Sequence, residues 1–175
     1  MRNKFSALAI QKESVLILGL LICIAVAAPL LFRQQFITGT IVNASLILGV
    51  CLLGSRDGLL IGLIPSSFAL ATGLLPAALA PLIPFIIVGN AILVLTFAYF
   101  SKFNFWAGVI IGSVLKFAFL YAISFVVIGL LINKQVATVV AQMMSWPQLI
   151  TALCGGIVAF GIIRLTGNRT LTPQK

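Results

Sequence analysis

The chain has 175 residues, of which 62% are hydrophobic and 7% charged, with a mean hydropathy of +1.25 and a net charge of +9. That composition excludes an ordinary soluble domain and calls for membrane spans of about 20 apolar residues. The basic residues are scattered over short loops and tails, so the positive balance does not point to nucleic acid. Lipid leaves no backbone group unsatisfied, which restricts the spans to helices or a closed barrel. Barrel strands alternate apolar and polar residues, and these segments do not. The sequence therefore predicts an all-α integral membrane bundle of six transmembrane helices. They form a single membrane domain over 1–165, with 166–175 as a disordered cytoplasmic tail.

The first span runs over about Ser14–Phe32. It ends in Ala-Ala-Pro, as a signal peptide does, but its length and the spans after it predict a retained helix. Gly19, Cys23 and Ala27 form a stripe of small residues along it, which favours close helix packing. The second span covers Ile37–Gly54 and carries Gly39, Thr40, Asn43 and Ile47 on one face. The third, Gly58 to Leu75, holds a second small stripe, Gly58, Gly62 and Ser66. It also contains Pro65, where it is expected to kink or break. An apolar, proline-rich loop follows, Gly73 to Pro81, and either folds back over a cavity or forms a plain interfacial turn. The fourth span, Pro81–Ser101, places Asn90 near its middle.

The fifth span, Phe105–Ile132, contains the most informative residue, Lys116. A charged side chain at bilayer depth costs at least ~2.5–3.5 kcal/mol, so it faces protein or a wet cavity and marks a functional site. Glu13 and Asp57 are the only acidic residues, and neither lies in an apolar run. The anion that Lys116 needs is thus expected from outside the chain. Gly112, Ser113, Leu120 and Ser124 share its face, with Gly108 at the margin. The loop from Asn133 to Trp146 is long enough for a short helix at the membrane surface, with Trp146 in the interfacial belt. The sixth span, Pro147–Leu165, carries a third small stripe, Thr151, Gly155 and Ala159.

Orientation follows from the basic residues. Arg2, Lys4, Lys12, Arg56, Lys102, Arg164, Arg169 and Lys175 fall on the side that holds both termini. Arg33 and Lys134 fall on the other, and with Lys116 these account for all 11 Lys and Arg. Both termini are expected in the cytoplasm.

Much chemistry is excluded. The chain has no histidine, which removes the usual transition-metal ligands and most general bases. Cys23, Cys51 and Cys154 lie in apolar spans without metal-ligand spacing, so no metal and no cofactor is expected. A P-loop is missing, as are a mid-membrane acid for a proton relay and any hydrolase motif. A bundle with a polar site and no motor reads as a binding subunit that borrows energy from partners, not as an enzyme. A stand-alone facilitator and a structural assembly subunit are the alternatives.

The stretches Ile37-Thr-Gly-Thr-Ile-Val-Asn-Ala44, Leu53-Gly-Ser-Arg-Asp-Gly-Leu-Leu-Ile-Gly-Leu-Ile-Pro65 and Leu75-Pro76 through Pro81-Leu-Ile-Pro-Phe-Ile-Ile-Val-Gly-Asn90 resemble the substrate-binding (S) subunits of energy-coupling factor (ECF) transporters. The likeness covers nearly the whole chain. It implies capture of a vitamin or similar micronutrient in an outward pocket roofed by the outer loops. It also implies docking on a transmembrane coupling subunit driven by two cytoplasmic ATPases, in the bacterial cytoplasmic membrane. The family docks through an Ala-xxx-Ala pattern on its first helix; Gly19, Cys23 and Ala27 are the matching positions here, small but without the alanine pair. On this reading Lys116 meets an anionic organic nutrient, with Asn43, Asn90 and Ser113 beside it and Arg33, Gln34 and Gln35 near the roof. The lack of histidine departs from the nickel and cobalt members.

Overall fold

A computed structural model describes residues 2–32, 34–72, 77–130 and 134–167. The described chain is all-α. In order it forms α1 (Arg2–Leu31), α2 (Gln35–Leu53), α3 (Ser55–Ala71), a 3-10 turn (Ala77–Leu82), α4 (Ile83–Phe100), α5 (Phe105–Leu130), α6 (Lys134–Met143) and α7 (Pro147–Leu165). Five stretches among the described residues are long and apolar enough to cross a membrane, the last running from Ala137 through α7 to Leu165. At 17 residues, α3 is shorter, about 26 Å at 1.5 Å per residue. With α3 the long helices number six, as the hydropathy pattern predicts.

Local chemistry sets the element ends. Gly54 closes α2 at φ 102°, a conformation that suits glycine, and its N–H bonds the carbonyls of Gly49 and Val50. α3 starts at the next residue. Of the kink or break expected at Pro65, a break does not occur: α3 continues to Ala71. Pro65 removes only the N–H that would have bonded the Ile61 carbonyl, and packing on both sides holds the helix together. Pro84 sits in the first turn of α4, where a missing N–H costs nothing. The Pro81 segment ahead of it winds as the 3-10 turn, so α4 begins two residues later than the apolar run.

Two apolar cores fill the bundle. The larger joins α1 through α5 and α7, with Ala25, Leu46, Ile61, Leu93, Phe97, Val109 and Ala159 fully buried. The smaller consists of Leu82 from the 3-10 turn, Leu120 and Val127 from α5, Val140 from α6 and Met144. It forms a roof over one end. The 3-10 turn that ends the proline-rich loop thus leads into the roof through Leu82; residues 73–76 lie outside the described set. The expected surface helix is α6. It does not merely lie on the surface, because Val140 and Met144 are 0% and 1% exposed. Its last carbonyl, Met143, accepts from Gln35 Nε2 at 3.0 Å and Gln148 Nε2 at 2.8 Å, which ties α6 to the starts of α2 and α7. The opposite end, here the floor, carries the α2–α3 and α4–α5 turns and the end of α7. The predicted tail falls at Thr166 and Gly167, which form a turn, and on 168–175, outside the described residues.

Glycines set how closely the helices approach. A methyl group on Gly155 of α7 would lie 2.7 Å from Asn43 Cβ and 2.8 Å from the Ala44 nitrogen on α2. One on Gly156 would lie 2.4 Å from Val109 of α5, and one on Gly112 would lie 3.0 Å from Leu93 of α4. The stripes of α3 and α7 thus face inward. The α1 stripe does not: Gly19 and Cys23 are exposed, and a Cβ on Gly19 would meet nothing within 4 Å.

Gly155→Ala is expected to destabilise the bundle by about 1–3 kcal/mol, because the obstructing atoms are backbone and Cβ. Gly161→Ala, with nothing within 4 Å of the added carbon, should be neutral or mildly stabilising. Thermal unfolding of the two variants in detergent, followed by loss of the monodisperse peak, makes the comparison. Equal midpoints would contradict the close α2–α7 contact.

Candidate functional site

Lys116 lies 11 residues into α5, about 17 Å from its floor end, and is 3% exposed. Gly108, Gly112 and Ser113 precede it on the same face, and all three are buried. Without side chains at 108 and 112, α5 approaches α4 closely enough for the lysine to reach across to it. Lys116 Nζ donates to Asn43 Oδ1 of α2 at 2.6 Å and to Asn90 Oδ1 of α4 at 2.8 Å. Both asparagines are themselves buried, at 1% and 3% exposure.

The amide groups pass the contact on. Asn90 Nδ2 donates to the Gly62 carbonyl of α3 at 3.1 Å. Asn43 Nδ2 donates to Thr151 Oγ1 of α7 at 3.4 Å, and Thr151 Oγ1 donates to the Gln148 carbonyl at 3.2 Å. One chain of hydrogen bonds thus links α3, α4, α5, α2 and α7. The donor sense follows from the chemistry, since an ammonium only donates and both amide oxygens must therefore turn toward it. The layer separates the two apolar cores: along α5, Val109 belongs to the larger and Leu120 to the roof.

The layer holds more polar capacity than the described residues use. An ammonium has three N–H donors, and two are engaged. Ser113 Oγ, one turn before Lys116, is buried with no hydrogen-bond partner, and so is Thr40 Oγ1, one turn before Asn43. Every acceptor that Lys116 reaches is a neutral amide oxygen. The described residues include no cluster of His, Cys, Asp or Glu that could hold a metal ion.

The structure brings together Lys116, Asn43 and Asn90, with Ser113 on the same face. Gln34 is exposed ahead of α2. The Gln35 amide is engaged with Met143, eight residues or about 12 Å along α2 from Asn43. Neither is brought into the layer, and Arg33 lies outside the described residues. Thr151 and the Gly62 carbonyl are members that residue type did not reveal. Both fall on small-residue stripes, and a hydroxyl or an open carbonyl on a close-packed face is the signal that would have found them.

A family model for the ECF transporter, substrate-specific component, matches residues 13–173. The chain belongs to this family. No curated protein and no solved structure matches it. As an ECF substrate-specific component it is a multi-pass protein of the cell membrane. It is a transport binding subunit, not an enzyme, and it associates with an energising module. The polar layer lies near the middle of the component, with Thr151 toward the roof: Lys116 is 11 residues into α5 from the floor, Asn43 eight residues into α2 from Gln35, and Thr151 four residues into α7 from Pro147.

Removing one partner from this layer should cost more than removing all the hydrogen-bonding groups. Lys116→Met leaves two buried amide oxygens bare, at about 1–3 kcal/mol. The triple variant Lys116→Met, Asn43→Leu, Asn90→Leu should recover part of that loss. Thermal midpoints in detergent test the ordering, and a triple variant less stable than the single one would contradict it.

Proposed function

We propose that this ECF substrate-specific component captures a small anionic organic nutrient, with Lys116 as the residue that meets the anion. The observation that carries the reading is the burial of Lys116 against neutral oxygens alone. A cation at membrane depth is stabilised far more by an anion than by amide dipoles. A carboxylate brought by the ligand supplies the missing charge. Vitamins and vitamin precursors such as pantothenate, nicotinate, folates and biotin-like acids all carry one.

Asn43 and Asn90 hold the ammonium in place and present amide groups beside it. The unspent hydroxyls of Ser113 and Thr40 are available to a polar ligand, which would relieve the cost of burying them unpaired. The roof of α6 and the 3-10 turn covers the layer from the end that the basic residues assign to the outside. Both termini are then cytoplasmic, and the ligand enters under the roof. The burial of Lys116 within its own chain also argues against a structural assembly subunit, in which a partner's carboxylate would have to reach it.

The outward stripe of α1 supports docking on the transmembrane coupling subunit, which two cytoplasmic ATPases drive. Gly19 and Cys23 are exposed, while Leu21, Ala25 and Ala28 on the other face of α1 are buried. A flat strip of small residues lets a second helix come close.

Three outcomes are expected. Native mass spectrometry of the protein purified in mild detergent should show a one-to-one small-molecule adduct, released on denaturation as a carboxylate. Lys116→Ala should insert normally and lose that adduct; unchanged retention would remove Lys116 from the binding role. Gly19→Trp should leave the thermal midpoint unchanged, since that position is open. It should also reduce co-purification with the coupling subunit at least several-fold, and undiminished co-purification would remove this face from docking.

A further inference from the structure

A second polar feature lies at the floor end, far from the layer. A cleft of about 310 Å³ opens between the end of α4, the turn into α5 and the last turns of α7. Ser101 and Arg164 line it together with Phe103, Trp106 and Phe160. Ser101 stands 11 residues beyond Asn90, about 16 Å along the helix, so the cleft shares nothing with Lys116.

Three observations point to a ligand. Ser101 is 2% exposed, and its Oγ is buried with no hydrogen-bond partner. A buried hydroxyl left unpaired costs about 1–3 kcal/mol, which a hydrogen-bond acceptor in the cleft would relieve. Arg164 stacks on the Phe160 ring at 5.0 Å and has no carboxylate partner among the described residues. The ring face aligns the guanidinium without consuming its N–H donors, the arrangement suited to gripping an oxyanion. Asn104, also lining the cleft, has its Oδ1 occupied by the Trp106 and Ala107 N–H groups at 2.8 and 3.3 Å. Its amide N–H groups have no partner among the described residues and are left as donors. The polar side chains of the cleft thus offer donors.

The walls say what carries the oxyanion. Phe160 packs against Phe105 and Trp106 with ring centroids 5.3 and 5.0 Å apart. Phe103, which lines the cleft, is 77% exposed, and Leu165, the residue after Arg164, is 88% exposed at the end of α7. An aromatic and aliphatic rim at the end of membrane helices sits at headgroup depth. The volume lies at the small end of ligand sites, roughly 300–1,000 Å³, which suits a headgroup with its chains left outside.

We propose that this cleft binds a phosphate oxyanion, the phosphodiester of an anionic phospholipid, with Arg164 and Ser101 as donors to the phosphate oxygens. The site is independent of the nutrient site. Arg164 also lies in the last turn of α7, where any cation is favourable, so stability alone does not test the proposal. Lipid selectivity does.

The full-length protein is delipidated in detergent and offered equimolar phosphatidylglycerol and phosphatidylcholine, then read by native mass spectrometry. Both lipids carry the phosphodiester, but the trimethylammonium of phosphatidylcholine would lie beside Arg164 and offset its attraction, so phosphatidylglycerol, which bears no cation, should be retained about ten-fold more. Arg164→Gln should abolish that preference. Ser101→Ala, which removes one oxygen from a packed position and should fold normally, should lower it about three-fold. Parallel samples with inorganic phosphate and glycerol 3-phosphate separate the sources: occupancy equal to that of the lipid would assign the cleft to a free phosphate, and weak occupancy to the lipid. Equal retention of the two lipids by the unmodified protein would overturn the proposal. So would a Ser101→Ala protein with undiminished preference, and that readout stands even if Arg164→Gln misfolds.

Discussion

An amine in the middle of a membrane bundle must have its donors met, and meeting them organises this molecule. Lys116 reaches two helices at once, and the amides it engages can satisfy their own N–H groups only on two more. The result is a hydrogen-bonded layer through α3, α4, α5, α2 and α7. Apolar packing between membrane helices is permissive, since lipid tails are as apolar as leucine and a helix can slide or turn at modest cost. Directional bonds are not permissive. Each fixes the depth and rotation of one helix against another, so the layer sets the register of the bundle in a way the two apolar cores cannot.

The close approaches at glycine make that layer possible. Asn43 sits against Gly155 and Asn90 against Gly62, so each asparagine reaches its partner where a larger residue would hold the helices apart. The same economy appears at Gly108 and Gly112, where α4 and α5 meet. The stripes of α3 and α7 are spent on this internal work. The stripe of α1 is left on the outer surface, with Gly19 and Cys23 exposed.

The two ends of the bundle carry different chemistry. At the roof, α6 and the 3-10 turn bury apolar side chains over a layer with unspent hydroxyls, and Met143 fastens the roof through two glutamine amides. These few polar bonds and a small apolar cluster hold the roof in place. At the floor, aromatic rings, Ser101 and Arg164 form an open cleft at the ends of α4 and α7.

Most of the architecture was legible in the sequence because membrane helices are written in long apolar runs. The span from Pro147 to Leu165 coincides with α7, and the short helix between Asn133 and Trp146 appears as α6. Lys116 was legible because a charge is conspicuous where every neighbour is apolar, and Asn43 and Asn90 for the same reason. Periodicity also gave the face of α5 that Lys116 occupies. What it could not give is partnership. Gln34 and Gln35 look like site residues in one dimension, yet the Gln35 amide is used to anchor α6 two turns away, a contact 108 residues distant in sequence. Thr151 and the Gly62 carbonyl joined the layer only through helix rotation. So did the difference between the outward stripe of α1 and the inward stripes of α3 and α7, which share one pattern of small residues. By itself the sequence determined which segments cross the membrane and that a cation lies among them, since both depend on the transfer of single residues into lipid. The tertiary structure decided which groups satisfy that cation and which faces stay free, because those depend on how helices far apart in the chain are turned toward one another.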